Sequence, residues 1–549
     1  MHCAGQLPPS GGPPDSIPPE IAGTVPDTNA IHVEENRIQL EFSEYVDRRS
    51  VEESIFISPH VGDLEFDWSG TEVTVEFSEA LRKNTTYVVN VGTDVVDIRA
   101  NNRMAEGFTL AFSTGDSIDR GYISGRVFDE EPEGVMIFAY ALDGADPDTL
   151  DPSALKPDYI MQTGKGGKFA LSNIALGTYR LFAIRDEFRN LIYDREVDQY
   201  GVTHADVTVD AQRERISDIW FRLSQEDTSK PFLTRVDALD RYQLQVRFSE
   251  AIDSLSFERA AFHLSDTLIQ KPIAIALSYL NRQTPMLAGL ITATPLNNGS
   301  SYRLRADKIY DRAGNLIDSM NASYVFTGRG VPDTLRPTVS ISSLADGQTG
   351  YPLERSLEIT FSEPVDQEPL KEAIILVDSV EKHVETEMRW LNATDVVLFP
   401  EQPLMSKAWY EVRIILDSLR DRWGNGYIDS TFVLRFETLD LRTTGVIEGA
   451  VVDEQEQTGE GAVYISASSI DVKPKWEKTI RLESPGAFTM EQLVEGRYVI
   501  KGFRDADSSG SYSYGMPYPF VPAERFAVYT DTVKVRARWG IEGVLLKFK

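Results

Sequence analysis

The chain has 549 residues and a single cysteine, Cys3. One cysteine excludes an internal disulfide, so stability must come from packing. Histidine is also scarce. The six copies, at 2, 32, 60, 204, 263 and 383, are scattered and show no H-x-x-x-H or H-E-x-x-H spacing. That argues against a zinc or other transition-metal site. No run of about 18 apolar residues occurs, so no transmembrane helix is expected. Positive charge is short: 55 Lys and Arg stand against 85 Asp and Glu, a formal net charge of -30. This argues against nucleic acid or an anionic membrane surface as partner, although solubility alone also accounts for it. There is no G-x-S-x-G elbow and no P-loop. "GKGGKF" at 164–169 lies between strand-like runs, with no helix N-terminus to hold a phosphate. Carboxylates are plentiful, but none sits in a recognisable catalytic frame. We therefore assign no catalytic residue and expect no enzyme.

What is present is repetition. "RIQLEFSEYVD" (37–47), "LQVRFSEAID" (244–253) and "LEITFSEPVD" (357–366) share one pattern. Ile38, Leu40 and Phe42 alternate with Arg37, Gln39 and Glu41, and Leu244, Val246, Phe248 and Leu357, Ile359, Phe361 repeat the arrangement. Period two predicts a strand with one buried face. Ser-Glu then turns the chain outward, and x-x-Asp (Asp47, Asp253, Asp366) caps the next turn. Downstream, Leu81 and Tyr87, Leu296 and Tyr302, and Leu404 and Tyr410 share one spacing, and a strand follows each Tyr. This suits a tyrosine corner, in which the hydroxyl pins a crossover between sheets. A polar turn ("DIRANNR", "DRAGN", "DRWGN") and a closing strand complete each copy. Short strands with regular turn signals predict an all-β sandwich.

On these motifs the three copies resemble the SbsA-type bacterial Ig-like domain. The opening "PPSGGPPDSIPPEI", with "FSEYVD" and "FSTGD", resembles the Ig-like lipoproteins of Bacteroidota. Two other segments pair with each other: "GYISGRVFDEE" (121–131) with "GVIEGAVVDEQ" (445–455), and "GGKFALSNIALGTYRLFAIRD" (166–186) with "PGAFTMEQLVEGRYVIKGFRD" (485–505). Each reads as a strand, then L-x-x-G-x-Y entering a central strand, with Gly177 and Gly496 placed for a tight turn. They resemble the carboxypeptidase-regulatory-like or B-repeat family, a prealbumin-type sandwich. The expected fold is thus a tandem array of Ig-like and prealbumin-like β-sandwiches. Its parts are a tether (1–16), an Ig-like module (17–116), a regulatory-like module (117–227), two Ig-like modules (228–331 and 332–440) and a second regulatory-like module (441–549).

Candidate sites are few. A lone N-terminal Cys3 followed by a Pro/Gly/Ser tether resembles a mature bacterial lipoprotein, which implies acylation of Cys3. "DADSSGSYSYG" (505–515) begins like a calcium loop, with Asp505, Asp507, Ser509 and Ser511 as candidate Ca²⁺ ligands and Gly510 at the sixth place. The twelfth place holds Met516 rather than Glu, and a solvated turn is the competing reading. The matching "DEFRNLIYD" offers Asp186 and Asp194. Glu44 with Asp47, Glu250 with Asp253, and Glu363 with Asp366 form another candidate set, set against plain turn capping.

Asp followed by Ser or Thr and an apolar residue recurs. It resembles a Bacteroidota O-glycosylation sequon at Ser16, Ser117, Thr149, Ser254, Thr267, Ser319, Thr334, Ser379 and Ser418. Asp-Ser turn chemistry is the alternative. The aromatic cluster "YSYGMPYPF" (512–520) reads either as a recognition surface or as a cover for a sandwich end. The resemblances together imply a non-enzymatic envelope lipoprotein: a rod of sandwiches held to the outer membrane through Cys3, on the surface or the periplasmic face. Other envelope proteins or glycans would be its partners, in a structural or adhesive role. The alternative is an accessory subunit of an outer-membrane secretion, motility or uptake complex.

Overall fold

The computed structural model describes residues 15–144, 146–417, 419–454 and 461–549. Cys3 and Ser418 lie outside them. The described chain is an all-β tandem array of sandwiches, and its α-helices are the short segments Arg48–Glu52, Ser254–Glu258 and Gln367–Ala373. Among the described residues, no helix is long and apolar enough to cross a membrane. The chain divides into two compact units. One holds the residues up to Glu226 with Val446–Val535 and Gly540–Lys549; the other holds Asp227–Gly445 and Arg536–Trp539.

In the first unit, the first module faces the sheet of Ile21–Val25, Arg37–Phe42, Glu72–Phe77 and Leu64–Ser69 against that of Ile55–Ser58, Thr86–Val91 and Phe108–Ser113. Ile38, Leu40 and Phe42 point into the core between them, as their period requires. The second and fifth modules share another topology. In the second, Tyr159–Gln162, Met136–Ala141, Gly177–Arg185 and Gln199–Val202 form the larger sheet. Lys168–Ile174, Gly121–Phe128 and Arg215–Arg222 form the smaller one, with the last two strands parallel. The fifth module repeats this with Ala462–Ser469 and Gly496–Asp505 at the centre of its larger sheet, and with Gly540–Phe548 parallel to Thr444–Asp453.

Two features depart from expectation. Neither Gly177 nor Gly496 has a positive φ. Close approach explains them instead: a Cβ at Gly177 would overlap the Asp143 carboxylate, and one at Gly496 would lie 2.6 Å from Val472 Cγ2. The second departure concerns the order of the modules. Within this unit the fifth module packs on the second, its distant neighbour in sequence. Phe520 meets Phe182, Phe526 meets Phe128, and the Tyr200 hydroxyl donates to the Gly515 carbonyl at 2.9 Å. The Arg222 guanidinium lies 4.3 Å over the Tyr512 ring. So the larger sheet of the second module is buried on both faces. Ile137, Ala139, Leu181 and Ala183 enter its own core, while Met136, Phe138, Tyr140, Phe182 and Ile184 enter a second one. The "YSYGMPYPF" aromatics serve this packing, through Tyr512, Tyr514 and Phe520.

The second unit holds the third and fourth modules. In the third, Leu233–Ala238, Gln243–Phe248, Leu287–Thr292 and Ile275–Leu280 face the sheet centred on Ala261–Asp266 and Ser301–Asp307. In the fourth, Val339–Ile341, Leu357–Phe361, Asp395–Pro400 and Thr386–Trp390 face Gln348–Tyr351, Thr431–Thr438, Trp409–Ile415 and Ile374–Asp378. The tyrosine corners form in all three Ig-like modules. The hydroxyls of Tyr87, Tyr302 and Tyr410 accept from the backbone N–H of Arg82 (2.7 Å), Asn297 (2.8 Å) and Met405 (2.9 Å).

Candidate functional site

The Phe-Ser-Glu-x-x-Asp motif splits into two jobs. Its Asp is a helix N-cap each time: Asp47 accepts from Ser50 N at 2.8 Å, Asp253 from Ser256 N at 2.7 Å, and Asp366 from Glu368 N at 3.4 Å. Its Glu does not join that cap. It turns to the rim of the sandwich and meets two aspartates distant in sequence.

One of these aspartates opens the polar turn. Asp97 accepts from the N–H groups of Arg99, Ala100 and Asn102. Those bonds hold its carboxyl below the usual range. Asp311 accepts from Asn315 N (2.8 Å) and Nδ2 (2.9 Å), and Asp421 from Asn425 N (2.8 Å) and Nδ2 (2.7 Å). The same Asn then reaches the module's entry segment. Asn102, Asn315 and Asn425 donate to the carbonyls of Asp15 (3.2 Å), Asp227 (2.8 Å) and Asp333 (3.5 Å). The side chains of these entry aspartates close the set. The carboxylate oxygens of Asp227, Glu250 and Asp311 lie within 4.8 Å of one another, and so do those of Asp333, Glu363 and Asp421. In the first module, burial and then the charges of Asp15 and Asp97 raise the pKa of Glu44.

The fourth module's cluster is the most enclosed. Glu363 is 7% exposed and Asp421 5%. Burial first, then the charges of Asp333, Asp421 and Asp240, push Glu363 up to about 7. Gln243 of the third module places Nε2 at 3.1 Å from both Asp333 Oδ2 and Glu363 Oε2. No Lys or Arg pairs with these three carboxylates among the described residues.

The regulatory-like modules carry their own trios: Asp186, Asp194 and Asp198, and Asp505, Asp507 and Glu524. Asp505 and Asp507 thus come together as the sequence suggested, but Glu524 takes the third place. Ser509 and Ser511 lie in the same loop, the Ser509 hydroxyl donating to the Ser511 carbonyl at 2.8 Å. Glu524 and Asp198 carried no sequence signal, because each lies outside its loop motif. The entry aspartates did carry one. Asp15, Asp227 and Asp333 are each followed by Ser or Thr and, at the fourth place beyond, by Pro19, Pro231 and Pro337.

Of the Asp-Ser/Thr hydroxyls, those of Ser16, Ser117, Thr149, Ser254, Ser319, Thr334 and Ser379 are on exposed residues, while Thr267 is half-buried and donates to the Ser301 carbonyl at 3.0 Å. The preceding aspartates mostly make turns. Asp15, Asp266, Asp318, Asp333 and Asp378 each accept from the N–H two residues on.

Comparison with known proteins fits this architecture. Residues 15–114 and 333–438, the first and fourth modules, match the bacterial Ig-like domain family. Two of the chain's modules thus match bacterial Ig-like domains. No curated protein matches. Among solved structures, the N-terminal part of the bacterial S-layer protein SbsC aligns over 38% of this chain and 44% of its own, at 12% identity and a TM-score of 0.17. SbsC domains 1–6 align over 94% of this chain and 66% of theirs, at 8% identity and a TM-score of 0.16. Mycobacterium tuberculosis L,D-transpeptidase 1 aligns over 28% of this chain and 77% of its own, at 11% identity and a TM-score of 0.15. Overlaps this weak carry no inference about activity.

Proposed function

We propose that this protein is a non-enzymatic structural or adhesive component of a bacterial envelope, held to the outer membrane by a lipid on Cys3. The observation that supports it is the use made of the recurrent residues. The aspartates of the repeated motif cap helices, and the tyrosines pin crossovers. The motif recurs because the domain recurs, as befits a chain whose work is to place β-sandwich surfaces. Exposed Ser and Thr after Asp are the proposed glycan positions, and envelope proteins or glycans the proposed partners. The Bacteroidota lipoprotein assignment rests on the N-terminal resemblance.

The alternative, an accessory subunit of an outer-membrane secretion, motility or uptake complex, draws support from a different observation. The first, second and fifth modules pack into one body. A body of that kind suits docking better than spacing. Purification of the native protein from membranes, followed by mass analysis of its N-terminal peptide, tests the anchor. A mass shift of acyl chains on Cys3 is expected; an unmodified thiol would overturn the anchoring. Mass analysis of the remaining peptides tests the glycans in the same experiment.

A further inference from the structure

We propose that a groove on the rim of the third module receives an acidic loop of a partner protein, and that Arg259, Lys308 and Arg312 hold its carboxylates. The inference does not depend on the lipid anchor and is compatible with either envelope role above.

The first observation comes from the first module, where the same rim is filled. Its short helix ends on Glu53, six residues past the capping Asp47, and Asp94 stands three residues before the turn residue Asp97. Both meet side chains of the second module. Arg189 pairs with Glu53, and its Nη2 lies 3.8 Å from Asp94 Oδ2. Gln162 Nε2 donates to Asp94 Oδ2 at 2.9 Å. Phe56 and Leu191, one from each module, pack against a single apolar cluster. In this module the rim beside the helix end is thus a socket, in which two carboxylates take a guanidinium brought by a neighbour.

The second observation is that the third module rebuilds this socket with its charges reversed. Six residues past Asp253, again at the end of the helix, stands Arg259; three residues before the turn residue Asp311 stands Lys308. The fourth module has Glu372 six residues past Asp366, so the exchange is not a feature of the repeat. Arg312, directly after Asp311, adds a third cation. The three line one groove of about 640 Å³ together with Leu255 and Tyr310. All three are exposed, and none pairs with a carboxylate among the described residues. The groove's own carboxylates are engaged, Asp253 by Ser256 N and Asp311 by Asn315 N and Nδ2. In a chain of net charge -30, three unpaired cations on one groove are a local inversion of sign.

The lining names the occupant. Arg259 and Arg312 present planar forks that suit carboxylates. Leu255 is 66% exposed and Tyr310 41%, where the first module has Arg49 and Val96. Arginine beside exposed tyrosine is the composition of a protein interface. A loop carrying Asp or Glu satisfies the cations and covers the apolar residues, entering where Arg189 enters in the first module. Opposed charges at such a rim set the choice of partner and the speed of encounter.

The test treats cells that make the full chain with a carbodiimide, which joins an amine to a carboxylate in direct contact. Mass analysis then reads what is attached to Lys308. An Asp or Glu of another protein is expected. Arg259→Glu combined with Arg312→Glu leaves that amine in place and is expected to lower the yield about tenfold. Arg303→Glu, at an exposed cation of the same module outside the groove, is expected to keep the yield. Lys308 joined to nothing, or only to this chain's own sequence, would overturn the proposal. So would a yield that survives the double reversal or falls equally in Arg303→Glu. Calorimetry on the purified full chain supplies a second measurement, with capped hexaglutamate and a sulfated hexasaccharide as probes. Hexaglutamate is expected to bind, and to lose affinity about tenfold in Lys308→Glu. Tighter binding of the sulfated sugar through the same cations would assign the groove to a glycan and overturn the protein partner. Should the double reversal lower the melting midpoint, Lys308→Glu decides alone, since an unchanged hexaglutamate affinity would overturn the proposal.

Discussion

Tyr302 shows how a single residue can be read in a sequence. Its hydroxyl accepts from the Asn297 N–H only five residues back, so the spacing of Leu and Tyr already contains the contact. Tyr302→Phe would leave that N–H without its partner beneath a buried ring. We expect a loss of about 1–3 kcal/mol, read as a lower urea midpoint with an unchanged slope. Asp253 is as local, capping a helix three residues on, and Asp253→Ala is expected to cost about 1 kcal/mol in the same assay. Glu250 and Glu363 were not legible in this way. Their neighbours come from an entry segment and a turn far away in sequence, and only folding brings the three carboxylates together. The acidic trio of the fifth module was legible only in part, for the same reason. Asp505 and Asp507 share a loop, whereas Glu524 reaches them from another strand connection.

At the scale of elements, alternation identified the strands of the Ig-like modules because one face of each is buried. It is missing from the second module. "MIFAYA" and "YRLFAI" are apolar almost without a break, which is how strands covered on both faces read. That run was the available signal for the second core, which the fifth module helps to build. The shared signatures "GYISG" and "GVIEG" hold another element-scale constraint. A Cβ on Gly125 would overlap the Ile219 carbonyl, and one on Gly449 the Val544 carbonyl, each in the neighbouring parallel strand. Backbone cannot move aside as a side chain can. We therefore expect Gly449→Ala to destabilise the chain by about 1–3 kcal/mol, measured by denaturant unfolding. A neutral result would mean that the parallel pair is looser than described.

For the whole molecule, the order of modules along the chain is not their order in space within the first unit. Repeats in the sequence established which modules are alike, but carried no information on which ones touch. Removing the chain from Val446 onward would expose the face formed by Phe128, Phe182, Tyr200 and Trp220. We expect the shortened chain to bind a hydrophobic dye and to self-associate in size-exclusion chromatography. A monomer that binds no dye would show that the fifth module is dispensable to that face.

The central claim is that this array of sandwiches works at the envelope surface. Protease treatment of intact cells, with lysed cells as control, tests it most directly when the chain is then detected by antibody. The account predicts cleavage of the chain on intact cells. Protection until lysis would contradict the surface reading and leave the periplasmic subunit as the alternative.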